Sequence, residues 1–254
     1  MREIVYINAG NLSNHIGTHF FNTQQAYLEQ AETNPQEESP IDSNVSFRDG
    51  ISNVRGIPTY CPRLLTFDYK QNFGALSKHN ELYPASQDDS EDPLLEAGLI
   101  ASHRAPLIPP SPYQVALAES RDFEITLKPR SVRYWSDYNR VFHLPRSLHP
   151  VPPPFNHQDL GSDEIVQNWS DGREAFSHLD AGTEICDEAL RRFVEECDLL
   201  QGFQSMFDSL SFGSFTLAMI EAMGDEYPKS ASLAFVNFGD TSSFVPSSLA
   251  SVGS

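Results

Sequence analysis

The chain has 254 residues, with 17 basic and 35 acidic side chains and a formal net charge of −18. This acidity argues against nucleic acid as a partner and against direct docking on an anionic membrane, because both carry negative charge. The three cysteines have no C-x-x-C spacing and are too few for a disulfide framework, which is typical of a reducing compartment.

Neither a membrane span nor a targeting leader is predicted. No stretch reaches the ~18 consecutive apolar residues that a transmembrane helix requires. Between Met1 and Phe47 the only lysine or arginine is Arg2, whereas a mitochondrial presequence is rich in arginine and poor in acids. We therefore expect the mature protein to start at Met1.

The first predicted unit is a strand over residues 4–7, a turn over residues 8–11 and a helix to about residue 30. Gly10 would let backbone N–H groups approach a phosphate, and Asn11 could add a side-chain donor. An ordinary strand-to-helix turn would have the same sequence, so both interpretations stay open. Four apolar side chains are expected on the inner side of the helix, namely Ile16, Phe20, Tyr27 and Leu28.

Residues 62–70 predict a second buried strand, and from residue 84 the pattern becomes irregular. Residues 106–112 and 145–154 are rich in proline and predict extended linkers. His143, His149 and His157 match no metal-ligand spacing, so no metal site is predicted.

Residues 131–141 are dense in aromatic and arginine side chains, the types enriched at protein interfaces. An interaction surface is one interpretation. The other is a structural strand whose tryptophan fills the core and whose arginines pair with local acids. The candidate interaction residues are Arg133, Trp135, Asp137, Tyr138 and Arg140.

The last predicted unit is a helix up to about Leu200, a strand over residues 203–207 and a loop over residues 208–213. A second helix begins near Ser214 and continues to Tyr227, followed by a strand over residues 231–238. A strand, a short loop and a helix N-terminus form a common anion site in α/β proteins.

Four separated blocks carry a resemblance to a known family. MREIVYINAGNLSNHIGTHFF resembles the tubulin amino terminus, and PRLLTFDYK follows in the expected order. VRYWSDYNRVFHLPRSL and FVEECDLLQGFQ resemble the Misato proteins, tubulin-like relatives whose fungal members act in mitochondrial inheritance. The chain is identified as the amino-terminal portion of such a protein.

The resemblance implies an α/β, tubulin-like nucleotide-binding-domain fold, in which helices flank a mostly parallel sheet. Residues 1–83 would form its first part, and residues 84–182 a long, irregular, proline-rich insertion. Residues 183–240 would form the second part and residues 241–254 a disordered, serine-rich tail. The fold would be incomplete, which should leave apolar side chains of the last helix, Phe215, Met219 and Met223, under-buried and the chain prone to aggregate.

The resemblance also implies a vestigial nucleotide pocket. Tubulins place a loop of several glycines, GGGTGSG, where this chain has residues 208–215, which are two residues shorter and retain one glycine. Asp208 adds negative charge there and Phe212 adds bulk. The pocket remnants would be Gly10, Asn11, Asp68, Gly213 and Ser214, with Asp68 matching an acid near the magnesium of tubulins or serving only as a turn residue.

We therefore expect loss of GTP binding, no other cofactor and no catalytic residue, because the catalytic acid of tubulins lies in a domain that this chain lacks. The function that the resemblance implies is non-enzymatic: partitioning of mitochondria and inheritance of mitochondrial DNA. It would act through protein partners, in the cytoplasm and on the cytosolic face of the mitochondrion. The alternative is a GTP-binding, self-assembling cytoskeletal protein.

Overall fold

The computed structural model describes residues 2–34, 39–51, 58–80, 82–83, 108–119, 132–151 and 169–238. Its strands in chain order are β1 (Glu3–Ala9), β2 (Phe47–Ile51), β3 (Pro58–Pro62), β4 (Leu64–Tyr69), β5 (Leu148–Val151), β6 (Leu200–Asp208) and β7 (Ala231–Asn237). Five of them form one sheet in the order β5-β4-β1-β6-β7, and β2 pairs with β3 as a separate ribbon. Every pairing in the large sheet is parallel.

The helices are α1 (Asn11–Thr33), α2 (Ser43–Ser46), α3 (Pro112–Glu119), α4 (Trp169–Thr183), α5 (Arg191–Glu195) and α6 (Ser209–Glu226). A π-helix, Ile185–Leu190, precedes α5, and short 3₁₀ turns cover Lys70–Phe73, Trp135–Tyr138 and Pro145–Ser147. A parallel sheet flanked by helices confirms the predicted α/β fold. The predicted tail, residues 241–254, lies outside the described residues.

Both faces of β1 and β4 are covered, which explains the continuous apolar runs of these two strands. Val5, Ile7 and Phe67 pack in the cluster that contains α4 and α6. Tyr6, on the opposite face of β1, packs with Phe21 of α1. The alternation of side chains along β1 therefore divides the core into two layers. Two elements from residues 84–182 belong to this architecture, since β5 extends the sheet and α4 packs on α6.

The predicted inner face of α1 is wrong in three of its four positions. Ile16, Phe20 and Tyr27 are exposed, and only Leu28 is buried. The inner face instead carries polar Ser13, Asn14 and Thr18 together with Phe21. The Ser13 hydroxyl donates to Asp208 and the Asn14 side-chain amide donates to the Phe67 carbonyl oxygen. Because these strand ends supply acceptors, polar side chains occupy positions where apolar ones were expected.

The predicted loop over residues 208–213 is also wrong, since α6 begins at Ser209 and already contains residues 209–213. The preceding strand starts earlier than predicted, at Leu200, and contains Gly202. Phe215, Met219 and Met223 are buried rather than under-buried, because α6 packs against α4 as well as the sheet.

Exposed apolar side chains are found instead on and after β7, at the edge of the sheet. Leu233, Phe235 and Phe238 are respectively 54%, 45% and 75% exposed. Asp208 and Asn237 are paired in the β6–β7 ladder, and the Asn237 side chain bonds to Ser13 of α1. Leu233 and Phe235, at alternate positions before Asn237, therefore lie on the α1 side of the sheet.

Candidate functional site

The carboxyl ends of β1, β4 and β6 lie side by side. Ala9 at the end of β1 is paired with Phe67 on one side and with Phe207 on the other. Asp68 and Asp208 follow those two partners directly. The order of strands reverses between β1 and β6, and open α/β sheets usually bind their ligands at such a switch point.

At this switch point the side chain of Asp208 occupies the N-terminus of α1. The backbone N–H groups of Leu12 and Ser13 donate to its two carboxylate oxygens at 2.9 Å each. The Ser13 hydroxyl donates to Oδ1 at 2.6 Å. The first turn of a helix leaves N–H groups without intrahelical partners, and these are the groups that bind phosphate in nucleotide folds. A carboxylate of the chain itself therefore sits where an anionic ligand would be held.

The surroundings of Asp208 fix it in this position. Burial raises the pKa of Asp208 above its ordinary value, while the hydrogen bonds from Ser13 and Leu12 oppose that rise. Asn237 at the end of β7 donates to the Ser13 hydroxyl oxygen at 2.8 Å, so the ends of β6 and β7 are both linked to α1. An incoming phosphate would have to displace Asp208 and overcome its charge.

Gly10 makes the close approach of Asp208 possible. Its φ is 104°, a conformation that residues with a Cβ rarely adopt. A Cβ at this position would lie 2.5 Å from Oδ2 of Asp208. Gly10, for which a phosphate turn was one of two interpretations, thus admits a carboxylate of the chain itself. Asn11 is the first residue of α1 and is half-buried.

Asp68 lies at the end of β4 and is fully buried. Its Oδ2 accepts from Trp135 Nε1 at 2.8 Å and from Asn14 Nδ2 at 3.1 Å. Its Oδ1 accepts from Asn72 Nδ2 and from the Tyr69 backbone N–H, both at 2.8 Å. Asp68 therefore joins α1, β4 and the Trp135 turn.

Four donors surround this carboxylate, which suits its ionised form. Burial raises the pKa of Asp68 to about 6, although the bonds from Asn72, Asn14, Tyr69 and Trp135 act in the opposite direction. The group is therefore predominantly charged at pH 7. Because all four neighbours donate, we assign Asp68 an anchoring role in the fold.

The other two predicted pocket residues lie within α6 and pack against α4. Gly213 and Ser214 are both buried in this helix. A Cβ on Gly172 of α4 would overlap the Ser214 hydroxyl oxygen, so the two helices meet closely at this point. Of the five predicted pocket residues, Gly10 and Asn11 lie next to Asp208 at the start of α1. The other three are buried in the fold, Asp68 at the end of β4 and Gly213 and Ser214 in α6.

The Trp135–Tyr138 turn is held against the domain by buried contacts. Trp135 is buried between Asp68 and Phe73, whose ring centroid lies 5.3 Å away. Asp137 is buried and accepts from the backbone N–H groups of Arg133 and Tyr134 at 2.9 and 3.1 Å. These two candidate interaction residues thus shape the turn from inside.

The remaining three candidates lie at the surface. Arg133 is exposed, with its guanidinium 5.1 Å from the ring centroid of Tyr134. Tyr138 is half-buried, and its ring centroid lies 4.9 Å from that of His19. Arg140 is exposed and donates to the Tyr113 hydroxyl at 3.4 Å. The block is a 3₁₀ turn rather than a strand, and Arg133, Tyr138 and Arg140 lie on its outer side.

Sequence reasoning did not identify Ser13, Asn14 and Asn72, whose side chains bind the two carboxylates. For Ser13 and Asn14 the available signal was the presence of polar residues in residues 11–28 of α1, a segment without lysine, arginine, aspartate or glutamate. Across the described ranges there is no cluster of three histidine, cysteine, aspartate or glutamate side chains suited to a metal ion. None of the helices described here has the length and apolar character needed to cross a bilayer.

Comparison with known proteins relates this fold to tubulin. Residues 2–119 match the Misato Segment II tubulin-like domain, and residues 124–247 match the Tubulin domain. The chain is 37% identical to protein dml1 of Aspergillus niger and 38% identical to protein dml1 of Aspergillus clavatus, over 90% and 91% of its length. It is 29% identical to protein DML1 of Yarrowia lipolytica over 89%. It covers 46%, 45% and 48% of these relatives, about half the length of each.

Proposed function

This chain belongs to the Misato family of tubulin-like proteins. We propose that it is a non-enzymatic interaction protein whose nucleotide-binding site is blocked by its own Asp208. In this proposal it serves the partitioning of mitochondria and the inheritance of mitochondrial DNA. It works through protein partners, in the cytoplasm and on the cytosolic face of the mitochondrion, with peripheral attachment through a partner.

The observation that carries the proposal is the Asp208 carboxylate at the N-terminus of α1. A tubulin-like GTPase needs those N–H groups for phosphate, and here the chain itself supplies the anion. Phosphoryl transfer is catalysed by positioning and neutralising phosphate charge. A fixed negative side chain at the switch point opposes both, which supports a role without hydrolysis.

A second observation supports a protein partner. Residues 11–28 of α1 and all of β7 contain no lysine, arginine, aspartate or glutamate, in a chain with 52 such residues among 254. These two elements expose apolar side chains, Ile16 and Phe20 in α1 and Leu233 and Phe235 in β7. Depletion of charge around exposed apolar side chains characterises the centre of protein interfaces. The partner surface that fits it is apolar and uncharged.

The alternative is a GTP-binding, self-assembling cytoskeletal protein. Asp208 is the N-cap residue of α6 by position but makes no side-chain hydrogen bond to that helix. The first turn of α6 therefore has backbone donors that no N-cap side chain occupies. If Asp208 were to rotate away from α1, two helix N-termini would face the switch point.

The proposal is tested in fungal cells that express the tagged chain. We expect part of the chain to co-sediment with mitochondria and to be degraded by protease added outside intact organelles. The double variant Arg133→Ala/Arg140→Ala should bind its partner at least about thirtyfold less well, because one interface arginine contributes on the order of 2 kcal/mol and each 1.4 kcal/mol is about tenfold in affinity.

The matched control is Arg173→Ala, which removes an exposed arginine of α4 that pairs with Glu221. It should leave both the mitochondrial fraction and the distribution of mitochondria unchanged. Protection of the wild-type chain from external protease would place it inside the organelle and contradict the proposed location. Equal losses in the double variant and the control would contradict a role of Arg133 and Arg140 in partner binding.

A further inference from the structure

A cleft of about 340 Å³ lies beside β5, at the edge of the sheet opposite β7. It is separate from the switch point. The strand β5 forms one wall, and the end of α4 with the π-helix forms the other. Its volume falls within the range of small-molecule sites, about 300–1,000 Å³.

The polar lining of this cleft is cationic, although the protein as a whole carries a charge of −18. Lys78, Arg146 and Arg192 line it, with Glu188 as the one carboxylate among the lining residues described. Arg192 pairs with Glu188. Lys78 is exposed and lies close enough to His149 for its charge to oppose protonation of that ring.

Arg146 and His149 are fixed in place. The guanidinium of Arg146 lies 4.5 Å from the ring centroid of Phe193 and pairs with Glu196. Nε2 of His149 lies 2.7 Å from the Arg146 carbonyl oxygen, so this nitrogen carries the hydrogen. Burial lowers the pKa of His149 to about 4, which keeps it neutral at pH 7. The positive charge of the cleft therefore comes from the lysine and arginines.

Part of the cleft lining is apolar. Leu148 and Ala189 are buried, and Leu179 and Pro150 complete this apolar part of the lining. An inorganic anion would leave this apolar area in contact with water. A ligand with an apolar body would cover this area. Each square ångström of apolar surface removed from water adds about 25 cal/mol to the free energy of binding.

The wall formed by the helices has an unusual backbone. Glu184 has a φ of 49°, the left-handed conformation, at the start of the π-helix. π-Helices and non-glycine residues with positive φ are concentrated at functional sites. Buried Ile185 and Leu190 hold this irregular segment against the core, and the π-helix places Glu188 and Ala189 on the wall of the cleft.

We propose that this cleft binds a small, soluble, amphiphilic organic anion. Its phosphate or carboxylate group lies between Lys78 and Arg192, and its apolar body covers Leu148, Leu179 and Ala189. This site lies beside β5, whereas a nucleotide would bind at the switch point between β1 and β6. It also has an apolar part in its lining.

The test is isothermal titration of the full chain with n-octyl phosphate below its micelle-forming concentration. Inorganic phosphate and octanol are titrated separately to measure the anionic and apolar contributions. We expect saturable one-to-one binding of octyl phosphate and at least about tenfold weaker binding of either control ligand. The variant Lys78→Glu/Arg192→Glu should lose about tenfold or more in affinity, because hydrogen bonds to charged groups contribute about 1.5–3 kcal/mol.

The matched control is Arg2→Glu/Lys229→Glu, which makes the same charge change at two exposed sites outside the cleft. It should retain the wild-type affinity, and thermal melting of both variants checks that they fold. Absence of saturable binding, equal losses in the two variants, or equal affinity for inorganic phosphate would overturn the proposal. Binding only to vesicles of phosphatidylcholine and phosphatidic acid would overturn it in favour of a lipid headgroup site.

Discussion

Replacing Phe212 by alanine is expected to lower the free energy of unfolding by about 3–5 kcal/mol. The side chain lies in the first turns of α6, is 2% exposed and packs between Tyr69 and Phe215, with ring centroids 5.0 and 5.6 Å away. Removal of the ring leaves a cavity beside the end of β4. Urea unfolding followed by circular dichroism measures the loss.

The control for this prediction comes from the same turn. Leu210 is 39% exposed, so Leu210→Ala should change the unfolding free energy by less than about 1 kcal/mol. If the two substitutions had equally small effects, the segment would behave as a surface loop. The tubulin-like loop expected from the sequence would then describe it better than the helix does.

Replacing Asp68 by alanine should cost about 3 kcal/mol at pH 7. The substitution leaves buried donors of Asn14, Asn72 and Trp135 without their acceptor, and each unsatisfied buried group costs about 1–3 kcal/mol. The desolvation of the carboxylate, which raises its pKa to about 6, offsets part of this cost. Chemical unfolding at pH 7 measures the net change.

Asp225→Ala removes an exposed acid and should have almost no effect. A double-mutant cycle of Asp68→Ala with Trp135→Phe isolates the indole hydrogen bond, and we expect a coupling of about 1 kcal/mol or more. Additive effects of the two substitutions would show that Trp135 is held by packing alone.

The parts of the fold that the sequence predicted are those set by local patterns. The buried runs of β1 and β4 are continuous because both faces of a parallel sheet are covered. The strand predicted at residues 231–238 differs from β7 by one residue. Family membership followed from separated blocks, and the comparisons confirm it.

The parts that the sequence did not predict depend on contacts between distant residues. Asp208 was noted as a negative charge near a phosphate site, but its bonds to Leu12 and Ser13 join residues about 195 positions apart. They follow from the register that places Phe207 beside Ala9. Residues 209–213, which directly follow Asp208, form the first turn of α6.

Position alone also does not reveal which residues of the Trp135 block are structural. Tryptophan, tyrosine and arginine occur both in cores and at interfaces. Only the placement of Asp68 beneath the turn shows that Trp135 is an anchor, and only the backbone bonds of Asp137 show that it shapes the turn.

Whether Asp208 blocks the nucleotide-binding site can be measured by equilibrium binding of labelled GTP and GDP, with and without magnesium. We expect no saturable binding to the wild-type chain at any concentration up to the millimolar range. Micromolar binding that unlabelled GTP displaces and that Asn11→Ala abolishes would contradict it, because the nucleotide would then occupy the N-terminus of α1 in place of the carboxylate.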